Sequence, residues 1–222
     1  MKHCSKNRGG GQFLGFTPAF TLAEVLITLG VIGVVAAITI PMLIQNYKKY
    51  IVETRLKHFY TTFNQAFKLA ESEFGDWHNW EFNKEKPVYY YVKDYMQLAK
   101  VEHKNDRNYY YLFDGSGYYP VYDENSQFPQ EFQYIYCPFG IKKCDKTGVE
   151  RFYFNFNRGA WNSYHFKNPI ETNAHGWNGK YADLYDKNSN FGCYVGVKKP
   201  NFCSTIIMLN GWKIPKDYPF KF

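Results

Sequence analysis

A single carboxylate, Glu24, stands at the head of a long uncharged apolar stretch, and its placement demands a chemical reason. An ionised acid at the end of a membrane-type helix loses solvation, so it needs a partner or a function. Elsewhere the residues that could do chemistry are scattered. The six histidines show no His-Glu-x-x-His spacing, no serine stands in Gly-x-Ser-x-Gly, and no glycine loop has a phosphate-cradling pattern. Catalysis is therefore not written as a motif, and the chain is expected to be no enzyme and to carry no cofactor. Asp183, Asp186, Asn188 and Asn190 place oxygen ligands at alternating positions, as calcium loops do. The glycine such loops require is misplaced and the late glutamate is missing, so a solvated, turn-rich loop is the expectation and calcium the alternative.

Five cysteines occur, at Cys4, Cys137, Cys144, Cys193 and Cys203, and none forms the Cys-x-x-Cys pair of a zinc ribbon or redox site. Removal of Cys4 with an N-terminal leader leaves an even number, which in an exported domain reads as two disulfides. Three connectivities are open, of which local pairing, Cys137 with Cys144 and Cys193 with Cys203, is the expected one.

The element that must position Glu24 follows it directly. Residues 25–44 carry no charge over twenty positions, and at about 1.5 Å per residue they match a hydrocarbon core roughly 30 Å thick. Lys2, Lys6 and Arg8 precede the run and favour a cytoplasmic N-terminus, although Lys48, Lys49, Arg55 and Lys57 follow closely on the other side. Beyond the run, Val52, Leu56, Phe59, Phe63, Phe67 and Ala70 recur at helical spacing, so the helix is expected to continue as an amphipathic one and to end at Gly75-Asp76. A conventional signal peptide cut near Ala36-Ala37 would account for the basic leader and the apolar run, but not for Glu24, Pro41 or the continuing helical pattern.

The segment Ala19-Phe20-Thr21-Leu22-Ala23-Glu24-Val25-Leu26-Ile27-Thr28-Leu29-Gly30-Val31-Ile32-Gly33 resembles the N-terminal signature of type IV prepilins and type II secretion pseudopilins. The resemblance covers roughly residues 15–60 and implies cleavage between Ala19 and Phe20 by a prepilin peptidase, with methylation of the new amine. The position before the cut is commonly Gly in that family and here is Ala19, the next smallest residue, so processing is expected to be retained. The family's glutamate corresponds to Glu24, which by resemblance neutralises the Phe20 amine of a neighbouring subunit. Its helix-bending proline corresponds to Pro41. The ending Asn210-Gly211-Trp212-Lys213-Ile214-Pro215 is also similar to the C-termini of a subgroup of pilin-like proteins.

After residue 75 the pattern changes to short aromatic and β-branched runs. Strands are expected at 88–92, 109–113, 118–122, 132–136, 152–156, 161–166 and 205–209, with a short helix at 94–101. Turns are marked by Asp114-Gly115-Ser116-Gly117, Arg158-Gly159 and Asn210-Gly211, and the Asn- and Gly-rich stretch 171–192 reads as a long loop. The resulting expectation is an α+β, pilin-like fold in which a long N-terminal helix packs on an antiparallel sheet. Residues 1–19 would be leader, 20–74 the helix and 75–222 an extracytoplasmic head.

A formal charge of +7 is read mainly as a solubility feature. Aromatic residues at 21% exclude disorder over most of the length. The expected role is a minor pilin or pseudopilin, anchored once in the inner membrane and assembled with other subunits into a surface or periplasmic filament. The alternative is a membrane-tethered module binding DNA, glycan or calcium. Lysines among aromatics permit nucleic-acid contact without indicating it.

Overall fold

The computed structural model describes residues 20–83, 86–121, 133–157, 167–197 and 200–222, in two units, Met1–Leu43 and Ile44–Phe222. The first unit, from Leu22, consists of the N-terminal part of helix α1, Leu22–Phe74. The second holds the rest of α1, the short helix α2 (Val88–Val92), six strands and a last helix, α3 (Cys203–Leu209). The strands are β1 (Leu98–Lys104), β2 (Arg107–Leu112), β3 (Gly117–Val121), β4 (Gln133–Cys137), β5 (Phe152–Phe156) and β6 (Ile170–Thr172). They form one antiparallel sheet in sequence order, an α+β arrangement of a long N-terminal helix and a meander.

Period-two alternation in the strands decides what the sheet covers. Tyr118, Tyr134, Tyr136, Phe152, Phe154 and Phe156 lie on the face that buries Val52, Leu56, Phe59, Phe63 and Phe67 of α1. Phe59 stacks on Tyr136 at 4.4 Å between ring centroids and meets Phe154 edge-on at 4.9 Å. One residue along each strand, Tyr119, Ile135 and Tyr153 form a second, smaller cluster with Cys137 and Cys144 on the opposite face. Because both faces are covered, every residue of β5 is buried.

Two local devices fix the sheet's ends. Asn105 and Asp106, both at φ 52°, make the two-residue turn between β1 and β2, where the left-handed region is needed and Asn and Asp tolerate it. At the other edge, Asn64 of α1 donates from Nδ2 to the Ile170 carbonyl at 2.8 Å and accepts from the Ile170 N–H at 2.9 Å. One buried amide thus satisfies both outward backbone groups of an edge residue, which blunts that edge against further pairing. Gly117 opens β3 where a Cβ would lie 2.8 Å from both Ile141 and the Tyr110 carbonyl, so a side chain is excluded there.

The helix ends at Phe74 with Gly75 at φ 75°, and all six periodic apolar residues from Val52 to Ala70 are buried, as expected from their spacing. Three expectations fail. Residues 88–92 form α2 instead of a strand: Pro87 presets φ at −65°, and Val88, Tyr91 and Val92 bury together at helical spacing. Residues 205–209 belong to α3, because the Ser204 and Thr205 hydroxyls donate to the Tyr153 and Asn173 carbonyls and hold the segment against the sheet. The helix expected at 94–101 is replaced from Leu98 onward by β1, whose pairing with β2 overrides its local preference. The loop expected at 171–192 begins inside β6 and contains a 3-10 turn at Tyr181–Tyr185. The expected strand 161–166, the turn Arg158-Gly159 and residues Tyr122 and Phe132 lie outside the described residues.

Candidate membrane anchor and assembly segment

The first turn of α1 is closed by a reciprocal pair. The Thr21 backbone N–H donates to Glu24 Oε2 at 2.9 Å, the Thr21 hydroxyl donates to the same oxygen at 2.8 Å, and the Glu24 N–H donates back to Thr21 Oγ1 at 3.2 Å. This is a capping box, in which a Thr and a Glu three residues apart satisfy two helix-end donors. Glu24 therefore has a structural use within its own chain, and its negative charge opposes the positive end of the helix dipole. The sequence reading does not single out Thr21 as a cap, although its spacing to Glu24 is the signal for one.

Beyond the cap the surface is almost wholly apolar and uncovered. Leu26, Ile27, Leu29, Ile32 and Val34 are each 60% or more exposed, and no residue of the span is buried. The Thr28 and Thr39 hydroxyls donate to the Val25 and Val35 carbonyls at 2.9 Å, so both are satisfied within the helix and ask nothing of the surroundings. Around Gly30 and Gly33 there is open space, which leaves both free for close approach by another helix. Pro41 lies inside α1 and offers no N–H to the carbonyl one turn earlier. A helix this long and apolar is a candidate membrane span.

Within the second unit, α1 is bare through Tyr50 and becomes buried at Val52. There the C-terminal segment reaches it: Lys213 Nζ sits 2.7 Å from Glu53 Oε2, the Ile214 N–H donates to Glu53 Oε1 at 2.9 Å, and the Trp212 ring lies 5.1 Å from that of Tyr60. Arg55 pairs with Asp114 at 3.5 Å and also donates to the Asp114 and Pro138 carbonyls. Two grooves, of about 470 and 400 Å³, flank this part of α1 and share His58 as a wall.

The remaining sequence candidates are spread through the head. Cys137 is bonded to Cys144 with Cα atoms 5.3 Å apart, and Cys193 to Cys203 with Cα atoms 4.9 Å apart. Asp183 accepts from the Asn178 amide and Asp186 from the Asn188 N–H, so both carboxylates serve turns of their own loop. Asn190 is exposed. Among the described residues no group of three or more His, Cys, Asp or Glu could hold a metal ion. Ala19, on the leader side of the expected cut, lies outside the described residues, and Phe20 is exposed ahead of α1.

A polar cluster that sequence reasoning did not single out joins α1 to β6. Glu171, 1% exposed, accepts from the Asn168 N–H at 2.8 Å and from the Tyr60 hydroxyl at 3.1 Å, and Asn168 Nδ2 donates to that hydroxyl at 2.7 Å. Burial raises the Glu171 carboxyl from its ordinary 4.5 to about 7, partly offset by the bonds from Asn168 and Tyr60.

The model of a protein family described as a family of unknown function, DUF6613, matches residues 42–222. No curated protein and no solved structure matches the chain.

Proposed function

The chain belongs to this family of unknown function, DUF6613, and we propose that it is a pilin-like structural subunit, held in a membrane by α1 before it joins a filament. The observation that carries this reading is the uncovered apolar stretch of α1, headed by Glu24 and followed within the same helix by the face that builds the head's core. A surface that apolar, with its polar groups satisfied internally, is stable only in lipid or against other helices. A pilin-like subunit uses both environments in turn.

In this reading prepilin peptidase cuts between Ala19 and Phe20, and the Phe20 amine of one subunit meets Glu24 of the next. Inside an apolar bundle that ion pair is far stronger than in water, and either charge left alone is heavily penalised. The partner subunits and the machinery belong to a type IV pilus or a type II secretion filament. The head lies outside the cytoplasm, where its two disulfides form.

The capping box makes the test sharper. Glu24→Gln keeps an acceptor for Thr21 but removes the charge, whereas Glu24→Ala removes both. If the charge directs assembly, both variants enter filaments at least about tenfold less than wild type, as expected for loss of a buried ion-pair partner. Normal assembly of Glu24→Gln would reduce Glu24 to a helix cap and contradict the assembly role.

A further inference from the structure

The cations that follow the apolar run work against a simple charge rule for orientation, and the structure suggests what they serve. Tyr47, Lys48, Lys49 and Tyr50 are four consecutive exposed helical residues. At about 100° per residue they encircle the helix completely. Among the described residues none buries them, and α1 becomes buried at Val52. Tyr47 and Tyr50 share one side of the helix and Lys48 and Lys49 the other, so aromatic and cationic groups together face whatever layer surrounds α1.

Distance along the helix identifies that layer. Tyr47, Lys48, Lys49 and Tyr50 lie on the order of 5–9 Å past Ile44, at about 1.5 Å per residue. The headgroup zone on each side of a bilayer is roughly 5–8 Å deep. Tyrosines are favoured at that depth, and lysines reach phosphates from it. Charge points the same way. Lys48 and Lys49 make no ion pair among the described residues, while Glu53, the next acid along α1, is engaged with Lys213. The ring is therefore left with net positive charge.

We propose that Tyr47, Lys48, Lys49 and Tyr50 form a collar that binds the headgroups of anionic phospholipids while the chain is still in the membrane. The inference rests on the membrane-anchored reading above and adds a ligand class to it. The collar would hold α1 at a defined depth and would have to release lipid as the subunit leaves the bilayer.

The test uses the full chain in nanodiscs of mixed phosphatidylglycerol and phosphatidylcholine, with retained lipids counted by native mass spectrometry. Each lysine near an anionic surface favours binding about fivefold, so the two together should retain phosphatidylglycerol over phosphatidylcholine by roughly twenty-five-fold. Lys48→Gln with Lys49→Gln should bring that preference near unity. Lys57→Gln should leave it unchanged, because Lys57 lies roughly 20 Å beyond the apolar run. Equal retention of the two lipids by wild type, or a preference that survives the double substitution, would overturn the collar while leaving the anchor intact. Failure of the chain to enter nanodiscs of any composition would overturn the anchor and the collar together.

Discussion

Glu24 and Glu171 are both carboxylates beside apolar surroundings, and their settings differ in ways that only one of them advertises. Glu24 could be recognised from sequence because it interrupts an uncharged run, and its partner Thr21 stands three residues away. Glu171 sits in an unremarkable stretch, Pro169-Ile170-Glu171-Thr172, and its burial depends on Tyr60 and Asn64 arriving from more than a hundred residues earlier. No local pattern encodes that meeting. Its consequence is a pH dependence. The folded carboxyl titrates near 7 and the unfolded one near 4.5, so its contribution to stability is fully present below pH 4.5 and is lost as pH rises through 7. The shift corresponds to at most about 3 kcal/mol. Thermal unfolding of the full chain in detergent should accordingly show Glu171→Gln gaining on wild type between pH 4.5 and 8. Parallel curves would mean that Glu171 is ionised in the fold at all these values.

At the scale of elements, α1 was legible where its periodicity was strong. The spacing of Val52, Leu56, Phe59, Phe63, Phe67 and Ala70 gave the buried face, and Gly75 gave the end. The short aromatic runs were legible as strands where both neighbours in the sheet are aromatic as well, as in β3 and β4. They were misread at 88–92 and 205–209, since five-residue runs of Val, Tyr, Thr and Ile fit a buried strand and a buried helical turn equally well. There Pro87 and the hydroxyls of Ser204 and Thr205 decide the outcome through contacts outside the run. The weight of the α1–sheet interface can be tested at Phe59, which is 1% exposed and touches Phe63, Tyr118, Tyr136 and Phe154. Phe59→Ala should cost about 3–5 kcal/mol, read as a lowered unfolding midpoint of the full chain. A loss below about 1 kcal/mol would mean that the sheet stands without the helix.

For the whole molecule, two kinds of helix surface share one element. From Val52 the apolar residues of α1 meet a sheet that covers them, whereas the large apolar residues before Ile44 are exposed. The covered face explains how the head folds, and the uncovered one is the candidate membrane span on which the proposed pilin-like role rests. In the proposed reading Glu24, Pro41 and the expected cut after Ala19 share one purpose, processing followed by assembly, and such processing would be recorded in the chain's first residue. Mass spectrometry of the N-terminal peptide isolated from the producing cell therefore tests the account most directly: it should find the chain beginning at an N-methylated Phe20, and an intact leader or a start near Ile38 would contradict it.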